Sequence, residues 1–204
     1  MSRNTSNTII NIAISGVGGQ GVLTLAELLA KAALKEGLNV RVGEIHGMAQ
    51  RGGHVVCTVR IGDAHGPVID TGTADLLVGF EPVETLREIH LVKRGGYVLM
   101  SSHIQFPVAV SMGKAKYPSN DEILDTIKTF TNKIIEFDAM EVARNSGSSR
   151  ALNMVMFGGI IGTGLVPISK DAALQVIRES FPSKFEKINT IAAETGINKV
   201  KQLL

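Results

Sequence analysis

The length of 204 residues predicts a single domain spanning residues 1–204. A formal net charge of +2, with 44% hydrophobic and 20% charged residues, is ordinary for a soluble globular protein. Basic residues are scattered and aromatic residues make up only 4%, and no apolar run forms a signal peptide or a membrane span of about 20 residues, so we expect a cytoplasmic protein that binds neither nucleic acid nor membrane. The single cysteine, Cys57, excludes an internal disulfide and any iron–sulfur or zinc site built from four cysteines of this chain.

The chain begins with a predicted strand, a glycine turn and a helix. Residues 8–15 form an apolar run typical of a buried central strand. From Val22 to Ala33, apolar residues recur at three- and four-residue spacing, and this helical pattern ends at Gly37. A strand over residues 38–44 then completes a predicted right-handed βαβ unit.

The middle of the chain is predicted to contain mainly strands. A strand over residues 54–61 and a shorter extended piece over 67–70 predict a hairpin insertion. Buried strands are predicted over 74–80 and 96–101, with a helix over 84–93 between them. Residues 107–120 show no clear period and predict a loop with an embedded short strand.

The last third is predicted to be mainly helical. The pattern predicts a helix over residues 121–130, an edge strand over 133–137, and helices over 148–164 and 169–204 that break at Pro167 and Pro182. The whole order predicts an α/β, Rossmann-like three-layer fold with a mostly parallel sheet, a hairpin insertion and a helical C-terminal portion.

The glycine loop between the first strand and the first helix matches G-x-G-x-x-G. Gly16 would permit a tight turn, Gly18 the close approach of a phosphate to the backbone, and Gly21 the packing of the helix on the strand. A dinucleotide site also requires an acid after the second strand, for which Glu44 is the candidate. The alternative is that the glycines serve only strand-to-helix packing.

A second loop carries an unusual density of polar groups. Between Glu44 and His54 it holds His46, Gln50 and Arg51 among several glycines. A loop at the carboxyl end of a strand is where open α/β sheets bind ligands, and an arginine beside Gly52-Gly53 offers charge and amides to a phosphate or carboxylate. The alternative is an arginine paired with a nearby carboxylate beside a simple glycine bend.

The residues from His46 to Cys57 argue against a metal site and against a Cys–His pair. His46 and His54 are eight residues apart across a flexible loop and have no third ligand at convincing spacing, which argues against a metal site. His54 and Cys57 are three apart on a strand, so their side chains point to opposite faces and form no dyad. We expect Cys57 to be buried and inert.

A late apolar helix contains one polar residue and three glycines. Asn153 is the polar residue, and Gly158, Gly159 and Gly162 are the glycines. Glycine costs about 1 kcal/mol relative to alanine inside a helix, so three of them suggest a compensating close contact. That contact lies either within this chain or between subunits. The nearby methionines, Met140, Met154 and Met156, are interpreted as core filler.

Three segments together resemble a known family. Residues 16–22 (GVGGQGV), residues 43–53 (GEIHGMAQRGG) and Asn153-Met154 closely resemble the gamma-type domain of the 2-oxoacid:ferredoxin oxidoreductases. The resemblance spans nearly the whole chain. Within that family, the second segment is most similar to the small beta subunits of indolepyruvate ferredoxin oxidoreductases.

The resemblance implies a division of labour between subunits. In that family a large alpha subunit carries thiamine diphosphate and the iron–sulfur clusters, and electrons leave to ferredoxin through the complex. The implied reaction is the oxidative decarboxylation of an arylpyruvate with coenzyme A as co-substrate, giving an aryl-acetyl-CoA, carbon dioxide and reduced ferredoxin. The chain alone would bind no cofactor and would be inactive. Whether the isolated chain forms a homodimer stays open.

The resemblance also suggests which residues face the coenzyme or the partner, without assigning a catalytic residue. These residues are Gly16, Gly18, Gly19, Gln20, Gly21, His46, Gln50, Arg51, Gly52 and Gly53. Three alternatives stay open: a gamma subunit for pyruvate, 2-oxoglutarate or ketoisovalerate; a stand-alone NAD-binding protein; and a subunit that serves assembly only.

Overall fold

The computed structural model describes residues 8–46 and 52–204. Within these residues the strands are β1 Ile10–Val17, β2 Val40–His46, β3 His54–Ile61, β4 Ala74–Gly79, β5 Val92–Ser101 and β6 Ile134–Phe137. The helices are α1 Val22–Lys35, α2 Pro82–Arg87, α3 Val108–Ser111, α4 Asn120–Lys128, α5 Ala139–Asn145, α6 Leu152–Gly162, α7 Lys170–Ser180 and α8 Ser183–Leu203.

All six described strands form one mixed sheet, in the order β2-β3-β1-β4-β5-β6. The pairs β1–β4, β4–β5 and β5–β6 are parallel, whereas β3 is antiparallel to both β1 and β2. On β1, Ile12 and Ile14 face one core and Ala13 faces the other, all without exposed surface. Helices therefore cover both faces of the sheet, and the predicted three-layer α/β fold is confirmed.

The predicted βαβ unit and hairpin are arranged differently from expectation. Strands β1 and β2 run in the same direction, but β3 lies between them, and the hairpin is formed by β2 and β3. Residues 67–70 form no strand, because β1 and β2 occupy both edges of β3. Side chains of β3 hold this segment instead: Thr58 Oγ1 donates to the Pro67 carbonyl at 2.8 Å, and Arg60 Nη1 donates to the Val68 carbonyl at 3.0 Å.

The helix predictions differ from the structure mainly at boundaries. Helix α1 ends before Gly37, whose φ of +74° is the left-handed conformation expected after a helix. The helix predicted over 84–93 is the shorter α2 followed by a 3₁₀ turn at Ile89–Leu91. The short strand expected within 107–120 is instead α3, and α5 was not predicted. The edge position of β6 is confirmed.

The glycines of α6 explain the close crossing of α6 and α8. A Cβ added at Gly158 would lie 1.9 Å from the Ala193 carbonyl oxygen, and one at Gly162 would lie 2.7 Å from that of Ile197. The contact is reciprocal, since a Cβ at Gly196 on α8 would lie 2.1 Å from the Val155 carbonyl oxygen. The compensating contact is therefore within the chain. The core-filling role of the methionines is also confirmed: Met154 and Met156 are fully buried, and Met140 packs on the same core.

Across the described ranges, no helix is both long enough and apolar enough to cross a membrane.

Candidate functional site

The two glycine-rich loops meet at the end of β1, where β1 pairs with the start of β3. Val17 lies opposite His54 in the strand register. The Gly18 amide donates to the Gly53 carbonyl at 2.8 Å, and the Gly52 amide donates to the Gly18 carbonyl at 3.2 Å. Residues 16–21 and 52–53 therefore form one unit, which we call the loop junction.

Part of the predicted second loop lies outside the described residues. Gln50 and Arg51 belong to the range 47–51, which the structure does not describe, and of His46 only its backbone place at the end of β2 is described. The described sequence resumes at Gly52, which is held against Gly18. The junction therefore fixes one end of this loop beside the glycine loop.

The glycines of the first loop have roles that differ from those expected. Gly16 lies within β1, where an added Cβ would be 2.8 Å from both Gln20 Oε1 and Val22 Cγ2. Gly18 uses its amide and carbonyl in the junction, so that amide does not face a phosphate. The tight turn is made by Gly19 and Gly21, with φ of +105° and +83°. Close packing therefore restricts Gly16, left-handed backbone restricts Gly19, and both restrict Gly21.

Gly21 contacts the late apolar helix rather than the strand. A Cβ added at Gly21 would lie 2.6 Å from Nδ2 of Asn153 on α6. Two of the segments that carry the family resemblance are therefore in direct contact, which their positions in the sequence, 132 residues apart, do not indicate.

Gln20 closes the glycine turn. Its Oε1 accepts from the Val17 amide at 2.8 Å, and its Nε2 donates to Gln105 Oε1 at 3.1 Å. No side chain caps α1 among the described residues, so the opening turn of this helix presents its amides beside the loop junction. Uncapped amides at a helix start favour an anion.

Glu44 is poorly placed for a dinucleotide ribose. It lies on β2, which β3 separates from β1. Adjacent strands are about 4.8 Å apart, so β2 is about 10 Å from β1 instead of beside it. The arrangement that lets an acid after the second strand reach a nucleotide on the first is therefore absent from the described sheet.

A cluster of acids flanks the loop junction. His54 Nδ1 contacts Glu84 Oε2, and His54 Nε2 lies 2.9 Å from Glu88 Oε1. The side chain of Glu84 is only 8% exposed and also lies 3.5 Å from Arg87 Nε. Both ring nitrogens of His54 therefore face carboxylate oxygens of α2 and its C-terminal end.

A buried carboxylate joins this cluster to the segment after β5. Glu81 is 1% exposed; its Oε2 accepts from the Glu84 amide at 3.0 Å, and its Oε1 accepts from the Tyr117 hydroxyl. Burial, followed by the hydrogen bond to Glu81, raises the pKa of Tyr117. The tyrosine therefore stays a neutral donor and ties residues 102–119 to α2.

These three glutamates were not among the residues that the sequence predicted to lie at the site. Glu81, Glu84 and Glu88 are spaced by three and four residues, which places acids on one face of a helix. That spacing was the available signal, but nothing in the sequence shows that His54 lies opposite. No group of three or more His, Cys, Asp or Glu side chains suited to a metal occurs within 8–46 and 52–204.

A pocket of about 380 Å³ opens beside the loop junction. It is lined by Val17, Gly52, His54, Glu84, Arg87, Gln105, Phe106, Pro107 and Val108. Phe106 and Val108 are 56% and 69% exposed, so one wall is apolar and the other charged.

Cys57 does not contribute chemistry to this site. It is fully buried on β3, and burial, with a smaller contribution from nearby carboxylates, raises its pKa to about 12. The thiol is therefore protonated at neutral pH, and the expected burial of Cys57 is confirmed.

Comparisons with known proteins give a consistent result. The family model described as pyruvate ferredoxin/flavodoxin oxidoreductase matches residues 11–199. Indolepyruvate oxidoreductase subunit IorB of Pyrococcus horikoshii is 44% identical over 196 residues, covering 95% of this chain and 97% of that protein. These matches confirm the resemblance seen in the sequence.

Two solved structures share the fold. The gamma subunit of a keto/oxoacid ferredoxin oxidoreductase from Geobacter sulfurreducens has a TM-score of 0.71 at 23% identity, covering 95% of this chain and 99% of that one. A 2-oxoglutarate:ferredoxin oxidoreductase from Magnetococcus marinus, with 2-oxoglutarate, coenzyme A and succinyl-CoA bound, has a TM-score of 0.71 at 19% identity. There the match covers 96% of this chain and 32% of the longer chain.

Proposed function

Because the chain belongs to the pyruvate ferredoxin/flavodoxin oxidoreductase family, we propose that it is the small subunit of an indolepyruvate-type oxidoreductase of the cytoplasm. The observation that carries this proposal is the 44% identity to indolepyruvate oxidoreductase subunit IorB over nearly the full length of both chains. The reaction converts an arylpyruvate and coenzyme A to an aryl-acetyl-CoA and carbon dioxide, and two electrons pass to ferredoxin.

The redox groups belong to a larger partner subunit. An iron–sulfur cluster takes about four cysteine thiolates, whereas this chain has one cysteine, which is buried and protonated. The donor set of the chain therefore does not fit a cluster. We assign the clusters and thiamine diphosphate, which supplies the carbanion chemistry, to the large subunit, from which ferredoxin takes its electrons.

The chain itself contributes the loop junction. Gly19 and Gly21 have left-handed backbone directly before α1, whose start no side chain caps, and uncapped amides suit a phosphate of coenzyme A. Gln20 and the Gly18–Gly53 bond hold the turn in shape. We further propose that Arg51 contacts a phosphate of coenzyme A and that His46 and Gln50 form hydrogen bonds beside it.

Arg51→Ala tests this assignment in the purified two-subunit complex. Loss of one guanidinium contact to a phosphate, worth about 1.5–3 kcal/mol, should raise the KM for coenzyme A at least tenfold with little change in the KM for arylpyruvate. Arg41→Ala, an exposed arginine on β2, is the matched control and should leave both constants unchanged.

Each result of this experiment separates one role from another. An unchanged KM for coenzyme A together with intact assembly would contradict the coenzyme contact. If Arg51→Ala instead weakens complex formation alone, as measured by gel filtration, the loop serves the subunit interface and not the coenzyme.

A further inference from the structure

A second pocket lies where three helices begin. It has a volume of about 730 Å³, and its walls include Thr24 in the first turn of α1, Asn153 in the first turn of α6 and Lys184 in the first turn of α8. No residue lines both this pocket and the one beside His54. It nevertheless adjoins the loop junction, because Asn153 lies against Gly21.

The pocket carries positive charge that the described residues do not neutralise. Arg150 and Lys184 line it, no acidic side chain does, and neither cation forms an ion pair within the part of the chain that the structure describes. Lys184 Nζ lies 4.8 Å from the centroid of the Phe185 ring. No side chain caps the 21-residue helix α8, so its first amides add positive potential at the same wall.

Asn189 offers the pocket an unpartnered carboxamide. The residue lines the pocket and is only 9% exposed, and its side chain makes no hydrogen bond to any described residue. Its polar atoms are not among the fully buried, unpartnered atoms of the described residues, so they stay accessible to a ligand. Asn153 lines the same pocket, also without a side-chain hydrogen bond to the described residues. Two amides and two cations thus line one pocket, and these donor types suit a polar anionic group.

Part of the lining is apolar. Phe181, Pro182, Phe185 and Ile188 form this part, and Phe185 is 47% exposed. Phenylalanine faces pack well against planar rings, and a site with apolar walls and a few convergent polar groups is the usual form of a small-molecule site.

We propose that this pocket binds an organic anion with a planar aromatic body, its charge held by Arg150 and Lys184 and its polar atoms by Asn189 and Asn153. Two sources share this chemistry, an aromatic carboxylate and a nucleoside phosphate. The proposal does not depend on the oxidoreductase assignment, because it rests on the pocket alone.

Calorimetric titration of the full chain tests it with paired probes. Indole-3-acetate and AMP carry both an anion and a ring, whereas acetate and inorganic phosphate carry only the anion. At least one aromatic probe should bind tenfold or more tightly than its matching simple anion, and which one does so identifies the source. The proposal is overturned if neither aromatic probe binds, or if each aromatic probe binds no more tightly than its matching simple anion.

A second experiment removes the positive charges of the pocket one at a time and repeats the titration. Arg150→Ala and Lys184→Ala, both at exposed positions, should each weaken the bound probe at least tenfold. Arg144→Ala and Lys187→Ala, matched residues outside the lining, should change affinity less than twofold. Equal effects of the pocket and control variants would show nonspecific charge attraction and would overturn the assignment.

Asn189→Leu separates a ligand contact from a structural one. An unpartnered carboxamide adds nothing to the fold, so leucine should leave the unfolding temperature unchanged or higher while weakening the probe several-fold. A variant with lower stability and unchanged affinity would contradict the ligand role of Asn189. These readouts require no turnover, so a failed oxidoreductase assay leaves them informative.

Discussion

The α6–α8 crossing and the loop junction are both rich in glycine, and they differ in what surrounds each glycine. At the crossing, a Cβ added at Gly158 or Gly196 would meet the backbone of the facing helix at 1.9 Å or 2.1 Å. At the junction, Gly19 and Gly52 have positive φ, and no atom lies within 4 Å of an added Cβ.

The comparison shows that glycine serves two separate needs in this chain. The crossing uses its small size to bring two helices into backbone contact, and α6 and α8 then bury the core of the C-terminal portion. At the junction, Gly19 and Gly52 instead use the conformational freedom of glycine and leave open space above the backbone, where a ligand or partner can approach. Substitutions should therefore separate a stability effect from a binding effect.

The largest expected effect is at the crossing. Gly158→Ala places a methyl 1.9 Å from the Ala193 carbonyl oxygen, so the helices must separate, and the free energy of unfolding should fall by about 3 kcal/mol or more. Chemical denaturation measures this. Gly66→Ala, where no atom lies within 4 Å and φ is ordinary, is the control and should change stability by under about 0.5 kcal/mol. Equal stability of the two variants would contradict the close crossing.

An intermediate effect is expected at the acidic cluster beside the junction. His54→Ala leaves Glu84 and Glu88 without the imidazole between them, and loss of these partially buried contacts should cost about 2 kcal/mol of unfolding free energy. His65→Ala, an exposed histidine, should be nearly neutral.

The same cluster offers a double-variant check. Adding Glu84→Gln to His54→Ala removes one of the two facing carboxylates and should recover part of the lost stability. Strictly additive losses would show that His54 and Glu84 do not interact, contrary to the described contact.

The smallest effect on stability, and the sharpest on binding, is expected at Gly19. Gly19→Ala and Gly37→Ala both force alanine into positive φ, at +105° and +74°, with no neighbour within 4 Å. Each should cost about 1–2 kcal/mol of stability. In the two-subunit complex, only Gly19→Ala should raise the KM for coenzyme A. Identical KM values in both variants would assign Gly19 a purely conformational role.

The sequence predicted elements better than their pairing. Apolar runs and helical spacing located β1, α1 and β3 to within about two residues. They did not indicate that β3 inserts between β1 and β2, because strand order is set by long-range packing and not by local pattern. The expected strand over 67–70 failed for the same reason: β3 had no free edge to offer.

The candidate site was predictable only in part. The glycine loop and Gly52-Gly53 were identified by residue type, and their contact through Gly18 required the fold. The partners of His54 were missed, since Glu84 and Glu88 lie 30 and 34 residues away and belong to an ordinary amphipathic pattern. Local motifs therefore identified the glycine loops of the site, whereas their contacts and the acidic partners of His54 became visible only in the tertiary structure.

Reconstitution tests the central claim most directly. The purified chain is combined with a large indolepyruvate-type subunit, and arylpyruvate- and coenzyme A-dependent reduction of ferredoxin is measured alongside the iron content of each component. We expect the chain alone to be inactive and iron-free and activity to appear only in the complex. Turnover of an arylpyruvate by the isolated chain, or full activity of the large subunit without it, would show that this chain is not a small subunit without redox groups.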